Sequence, residues 1–182
     1  DNFLNLKYQK DKLLKKIKVF NDADQALILK ALKVAEKFHQ GQERDGGVPY
    51  IIHPIRASIN LLEQAKVQNR DLVCAILLHD ILEDTDIRIE QIENIFGKEI
   101  LSLIQGATRE RTENETREEK IKSKQEKIKK ISQATKGIRL VKLCDVLDNK
   151  LSQSFIPENH PSRKKLKRWN REFMQYLPIA KK

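Results

Sequence analysis

Apolar side chains recur at helical spacing along nearly all of this chain, and that periodicity limits the fold more than any other feature. Leu4, Tyr8, Leu13, Ile17 and Phe20 mark one amphipathic helix. Leu27, Ala31, Val34, Ala35 and Phe38 mark a second, for which Asp24 is a candidate N-cap. Pro54 suits the first turn of a third, and Asn69 caps a fourth whose apolar face starts at Leu72. Asp86 opens a short helix ending near Gly97, and another runs to about Ala107. Lys120 to Ala134 reads as a basic amphipathic helix, which Gly137 separates from one holding Val141, Leu143, Val146, Leu147 and Leu151. Pro161 stands first in a last helix that ends before Pro178. The segment 40–50 gathers Gly41, Gly46, Gly47 and Pro49 and must be an ordered loop, whereas 108–120 lacks an apolar stripe and reads as a mobile loop or lid. No period-2 strand pattern appears. The expected architecture is one all-α orthogonal helical bundle over 1–182, without a second domain.

Charge is unevenly placed. Residues 117–142 and 163–182 each sum to +7, while 21–116 sums to −6, within a total of +10. Basic helices therefore surround an acidic middle. Solvated helix faces account for much of this, and a funnel for a small polyanion suits the acidic centre. A nucleic-acid surface rests on charge alone, because interleaved aromatics and a recognition motif are lacking. No apolar run approaches a membrane span. Cys74 and Cys144 lie in apolar helical patterns with no CxxC partner, which fits buried, reduced thiols in a cytoplasmic protein. Nothing in the sequence sets the oligomeric state.

Chemistry concentrates where the apolar run ending at Leu78 switches to His79-Asp80-Ile81-Leu82-Glu83-Asp84. On a continuous helix His79 and Glu83 share a face, as do Asp80 and Asp84. Such a cluster is costly at the end of a core helix unless it is paired or binds a cation; a helix leaving the core as a solvated terminus also explains it. His53, His79, Asp80 and Asp145 together form a mixed nitrogen and oxygen donor set. That set suits an octahedral divalent ion with positions left for water and substrate, Mn²⁺ first among them. A structural zinc site would use sulfur and leave no opening. With four histidines in the chain, a second ion would have to recruit His39 and His160, so one ion per chain is expected.

The stretches HQGQERDGGVPYIIHP (39–54), AILLHDILEDT (75–85) and VKLCDVLDNKLS (141–152) resemble successive motifs of the HD hydrolase domain of RelA/SpoT homologues. The resemblance covers about 25–178, leaves no room for a synthetase domain, and is greatest to stand-alone small alarmone hydrolases of the metazoan SpoT-homologue type. It implies an HD-type bundle that removes the 3′-pyrophosphate of the nucleotide ppGpp, giving GDP and pyrophosphate. It implies Mn²⁺ held by His53, His79, Asp80 and Asp145, with Glu83 and Asp84 activating and positioning the attacking water. Arg44 is implied to pack on or bind the nucleotide and Asn149 to contact its ribose and phosphate. Ser152 falls where a Thr often stands. Asn149 and Ser152 follow Asp145 by four and seven residues, so all three can face one pocket. Lys165 and Trp169 fall near positions where small hydrolases set a basic and an aromatic side chain against the nucleotide; on its amphipathic helix Trp169 suits core packing better.

Departures from the pattern bear on substrate. Asp45 stands where a second cation usually follows Arg44, Val146 replaces an arginine after Asp145, and Asp148 replaces a His or Tyr before Asn149. Rival readings are an HD hydrolase acting on ppApp, the 2′-phosphate of NADPH or a nucleoside monophosphate, and a catalytically silent HD domain that senses a nucleotide.

Overall fold

Asn21, Asn69, Thr116 and Thr135 turn the chain into helices in the same way. Each side-chain oxygen accepts from a backbone N–H three residues on, satisfying a donor that the first turn leaves open. Thr116 and Glu119 form a reciprocal capping box. The computed structural model describes residues 2–45, 47–108 and 116–181, with Arg117 described by its backbone alone. Its helices are α1 (Leu6–Lys16), α2 (Asp22–Phe38), α3 (Ile52–Glu63), α4 (Arg70–Leu77), α5 (Ile81–Asp84), α6 (Ile89–Ala107), α7 (Arg117–Gln133), α8 (Lys136–Ser152), α9 (Leu166–Met174) and α10 (Leu177–Ala180). Short 3₁₀ turns follow α1 and α8 and precede α9. There is no strand among the described residues, only an isolated bridge between Glu43 and Pro49.

The bundle is built around α3, α4 and α8. Helix α3 packs on α1 and α8, α4 on α2 and α6, and α6 on α8. Ile55, Ile59 and Leu61 of α3 and Val73, Ile76 and Leu77 of α4 belong to one buried apolar core. At about 25 cal/mol per Å² of apolar area, this burial fixes the relative placement of the three helices that carry the site. Cys74 and Cys144 are both buried and unpaired, and burial pushes each thiol up to about 12.

Several boundaries differ from the sequence reading. Asn21 rather than Asp24 caps α2. Helix α6 starts at Ile89 rather than Asp86 and runs to Ala107 as two segments joined at Gly97. Of the expected lid 108–120, Thr108 and Thr116 cap α6 and α7 and 117–120 belong to α7; 109–115 lie outside the described residues. Gly137 sits inside the first turn of α8, where an added Cβ would lie 2.9 Å from Leu103 Cδ2. The final helix is broken: Pro161 opens a 3₁₀ turn, α9 ends at Met174, and Pro178 lies within α10.

Gly97 joins the two segments of α6 at φ 85° and ψ 168°, a region essentially closed to residues with a Cβ. Gly97→Ala should therefore destabilise the fold by about 1–3 kcal/mol. For a chain of this size that lowers Tm by roughly 2–10 °C, checked by thermal denaturation. An unchanged Tm would mean that the kink does not depend on glycine.

Candidate active site

Helix α4 stops at Leu77, and the chain makes a tight turn through Leu78, His79 and Asp80 before the single turn of α5. His79 and Asp80 thus leave the helix together instead of continuing it, which corrects the expectation of one helix carrying His79 to Asp84. The turn lets His79 Nδ1 donate to its own chain at Ile76 O, 2.7 Å away. From α3, His53 Nδ1 donates to Asp148 of α8 at 2.7 Å. Both imidazoles therefore spend their Nδ1–H outward and present Nε2 to one point, where the two Nε2 atoms lie 3.2 Å apart.

Two carboxylates complete this point. Asp80 Oδ2 lies 3.1 Å from His79 Nε2 and 3.6 Å from His53 Nε2. Asp145 Oδ1 lies 3.2 Å from His53 Nε2 and 3.6 Å from His79 Nε2. The donor atoms of His53, His79 and Asp80 all fall within 4.8 Å of one another. Edges of 3.1–3.6 Å are those that bonds of about 2.1–2.3 Å to a shared cation produce. In neutral rings the two facing Nε2 atoms are both lone pairs, a repulsive arrangement in a dry interior unless positive charge stands between them. The donor set thus fits a divalent ion. Burial opposes charge on His79, yet Asp80 and Asp145 outweigh it and hold its pKa well above the usual imidazole range. In turn, despite burial, His79 holds Asp80 below the usual carboxylate range and Lys142 does the same for Asp145.

Behind these groups lies a buried support that the sequence reading did not identify. Asp148 is fully buried; beyond His53 it accepts from Arg56 Nε at 2.8 Å and from Arg56 Nη2 at 3.0 Å. Arg56 also donates to Phe3 O at 3.0 Å and Ser152 Oγ at 2.8 Å, and stacks 3.9 Å from the Phe3 ring centre. Tyr50 OH donates to Asp80 Oδ2 at 2.6 Å and, more distantly, to Asp84 Oδ2 at 3.4 Å. Burial and then the Asp80 charge push the Tyr50 pKa far up, so it remains a donor. Lys142 Nζ donates to Asp145 Oδ2 at 2.7 Å. A lone arginine in the apolar stretch from Ile51 to Leu62, and a carboxylate three residues after Asp145, were the available signals for Arg56 and Asp148.

The glycine loop folds back on itself, with Arg44 N donating to Val48 O and Tyr50 N to Gln42 O, and Gly47 taking φ 72° at the tip. This brings Arg44 over Tyr50 and sets its Nη2 2.6 Å from Asn149 Oδ1, while Asn149 Nδ2 donates to Asp145 Oδ1. Arg44, Asn149, Ser152 and Asp145 border one cavity of about 600 Å³, which Trp169 and Phe173 of α9 also line. Trp169 is thus a cavity wall and not a core residue; no residue of α9 is fully buried. Lys165 is exposed outside this lining, with its Nζ 5.8 Å from the Trp169 ring centre. Glu83 and Asp84 part company. Glu83 borders a second cavity, whereas Asp84 turns toward Tyr50 and accepts from Gln42 Nε2 at its backbone oxygen, 2.8 Å away.

His53, the His79-Asp80 turn and Asp145 thus bring two imidazoles and two carboxylates to one point, the arrangement expected of an HD-type centre. The HD domain family model matches residues 31–180, and the chain belongs to that family. Among relatives, the guanosine-3′,5′-bis(diphosphate) 3′-pyrophosphohydrolase of Borreliella burgdorferi is 44% identical over 75% of this chain and 20% of its own length. The Mus musculus protein of that name, MESH1, is 32% identical over 70% of this chain and 69% of its own. A solved structure described as a metazoan ortholog of SpoT that hydrolyses ppGpp superposes with a TM-score of 0.70 at 27% identity, covering 84% of this chain and 85% of that one. The chain spans about a fifth of the length of the Borreliella and Mycoplasma relatives it matches.

Removing the charge from Asp148 should loosen His53 without removing it. In Asp148→Asn the affinity for a divalent cation should fall about 10–100-fold, the usual effect of losing a partner behind a histidine ligand. Calorimetric titration with Mn²⁺, on protein whose helical circular dichroism is intact, reads this directly. Equal affinities would show that Asp148 does not support the centre.

Proposed function

We propose that this chain is a metal-dependent hydrolase that removes the 3′-diphosphate of ppGpp as pyrophosphate, leaving GDP, with one Mn²⁺ per chain held by His53, His79, Asp80 and Asp145. The observation that carries the reading is the pair of Nε2 atoms 3.2 Å apart between two carboxylates, one of which, Asp145, lines a cavity large enough for a nucleotide. Relatives whose names specify ppGpp hydrolysis direct the choice of substrate. All-oxygen and imidazole donors favour Mn²⁺ over a thiolate-loving ion. No helix of the described residues is long and apolar enough to cross a membrane, and two unpaired buried thiols suit the reducing cytoplasm.

In this reading the base and ribose occupy the first cavity. Arg44 presents a flat guanidinium, held by Asn149 and Tyr50, against the base. Trp169 and Phe173 offer the opposing aromatic face. Asn149 is placed for the ribose and Ser152, held by Arg56, shapes the floor. When bound, the ion lowers the pKa of a water and polarises the phosphoryl group under attack. Glu83 takes a proton from the attacking water, and Asp84, through Tyr50, keeps Asp80 in place. Lys142 lies beside Asp145 and offsets charge on the phosphates. Lys165 reaches the phosphates only from outside the cavity rim.

Purified protein with Mn²⁺ should convert ppGpp to GDP and pyrophosphate in equal amounts, and Glu83→Gln should lower kcat by roughly 10²-fold while keeping bound metal. Brisk turnover of a nucleotide without a 3′-phosphate, with none of ppGpp, would overturn the substrate; undiminished kcat in Glu83→Gln would remove it as the base.

Arg44 touches the base in ground and transition states alike. Arg44→Ala should therefore raise KM several-fold more than it lowers kcat. Steady-state kinetics on ppGpp check this, and a loss confined to kcat would contradict it.

A further inference from the structure

Helix α9 is a partition. Trp169 and Phe173 face the cavity assigned to the nucleoside, whereas Arg168, Arg171 and Gln175 face a second cavity of about 560 Å³ on the other side, floored by α7. Lys142, Glu172 and Tyr176 border both, so the two meet beside Asp145, which Lys142 contacts. The first cavity is fronted by Asp145 and the second by Glu83.

Their linings differ in kind. Aromatic rings and an arginine that can stack line the first. The second carries Lys120, Lys124, Lys127, Lys142, Arg168 and Arg171 against only Glu83 and Glu172. Glu172 is already engaged by Lys124 at 2.7 Å. Among the described residues, Lys120 and Arg171 have no ion-pair partner. Such a concentration of cations in a recess raises the local concentration of small polyanions.

We propose that this second cavity admits the attacking water and takes up the departing pyrophosphate, so that substrate enters by one opening and the two products leave by different ones. The inference rests on the ppGpp reading above. Phosphoryl transfer sets the attacking and leaving oxygens roughly in line through phosphorus. In the reaction a water oxygen bonds to the inner phosphorus of the 3′-diphosphate while the P–O3′ bond breaks. The electron pair goes to O3′, Glu83 takes the water proton, and O3′ takes a proton from solvent, to which Glu83 later returns its own. With the ribose in the first cavity, the water must stand across phosphorus from it, on the Glu83 side. Inversion at phosphorus then carries the diphosphate toward that side, where the lysines and arginines of α7 and α9 receive it, while GDP stays among the aromatic rings.

The test is a titration that needs no turnover. Inorganic pyrophosphate and GDP are each titrated calorimetrically, at fixed free Mn²⁺, into wild type and into Arg168→Glu/Arg171→Glu. Both side chains are exposed, so the fold should tolerate the change, and an unchanged Tm controls for this. The double variant should bind pyrophosphate at least tenfold more weakly, with GDP affinity unaltered. Equal losses for both ligands, or none for pyrophosphate, would overturn the second opening. Absence of ppGpp turnover in wild type would instead overturn the activity, and the titration would still decide whether the cavity takes pyrophosphate.

Discussion

His53 Nε2 and His79 Nε2 face one another across 3.2 Å between two buried side chains. Left to themselves, the two rings would be free to turn away from this point. They are prevented by what stands behind them: the Ile76 carbonyl holds one ring and the Asp148 carboxylate the other. Asp148 is in turn fixed by two nitrogens along one edge of Arg56, whose third nitrogen is anchored on the carbonyl of Phe3. The chain of bonds therefore runs from the amino-terminal segment, through a buried arginine and carboxylate, to the imidazole. A buried ion pair of this kind adds little net stability, because desolvating the charges offsets most of their attraction. Its contribution is orientation. A histidine whose far nitrogen is bound to an anion has a single tautomer and a single direction, and Asp80 and Asp145 complete the cage from the two flanking elements.

Much of this was legible in the sequence because it depends on local chemistry. Asn69 caps α4 and Pro161 opens its turn as their residue types dictate, and the four groups His53, His79, Asp80 and Asp145 do converge. The break of α4 at Leu77 was not legible. The apolar pattern continues through Leu78, Ile81 and Leu82, all packed against the core, so periodicity alone reads one helix across the turn. The partnership of Arg56 with Asp148 spans 92 residues and leaves no local trace. Read along α8, Asp148 is only a departure from a family pattern; its role exists once α3 is laid against α8. Trp169 illustrates the reverse failure. An aromatic on an amphipathic stripe suggests core, but α9 has no core beneath it, only a cavity.

That difference between α9 and the central helices divides the molecule by stability as well as by role. Helices α3 and α4 are buried along most of their length, and opening either would expose a continuous apolar core. Helix α9 has no fully buried residue and is tied down by polar contacts such as Lys124 to Glu172 and Lys150 to Asn170. Segments with few buried contacts open at much lower free energy than the core they cover. The arrangement keeps the metal-binding geometry in the rigid part and gives the cavity walls to the part that can yield. It also explains why the net charge of +10 is gathered where it is. Lysines and arginines on α7 and α9 attract a polyanion over the roughly 8–10 Å that salt leaves unscreened, without being buried themselves. In the proposed reading, a divalent cation among Asp80 and Asp145 would add its charge to that of Lys142 and draw such an anion into the centre. Ion and anion would then each favour the binding of the other.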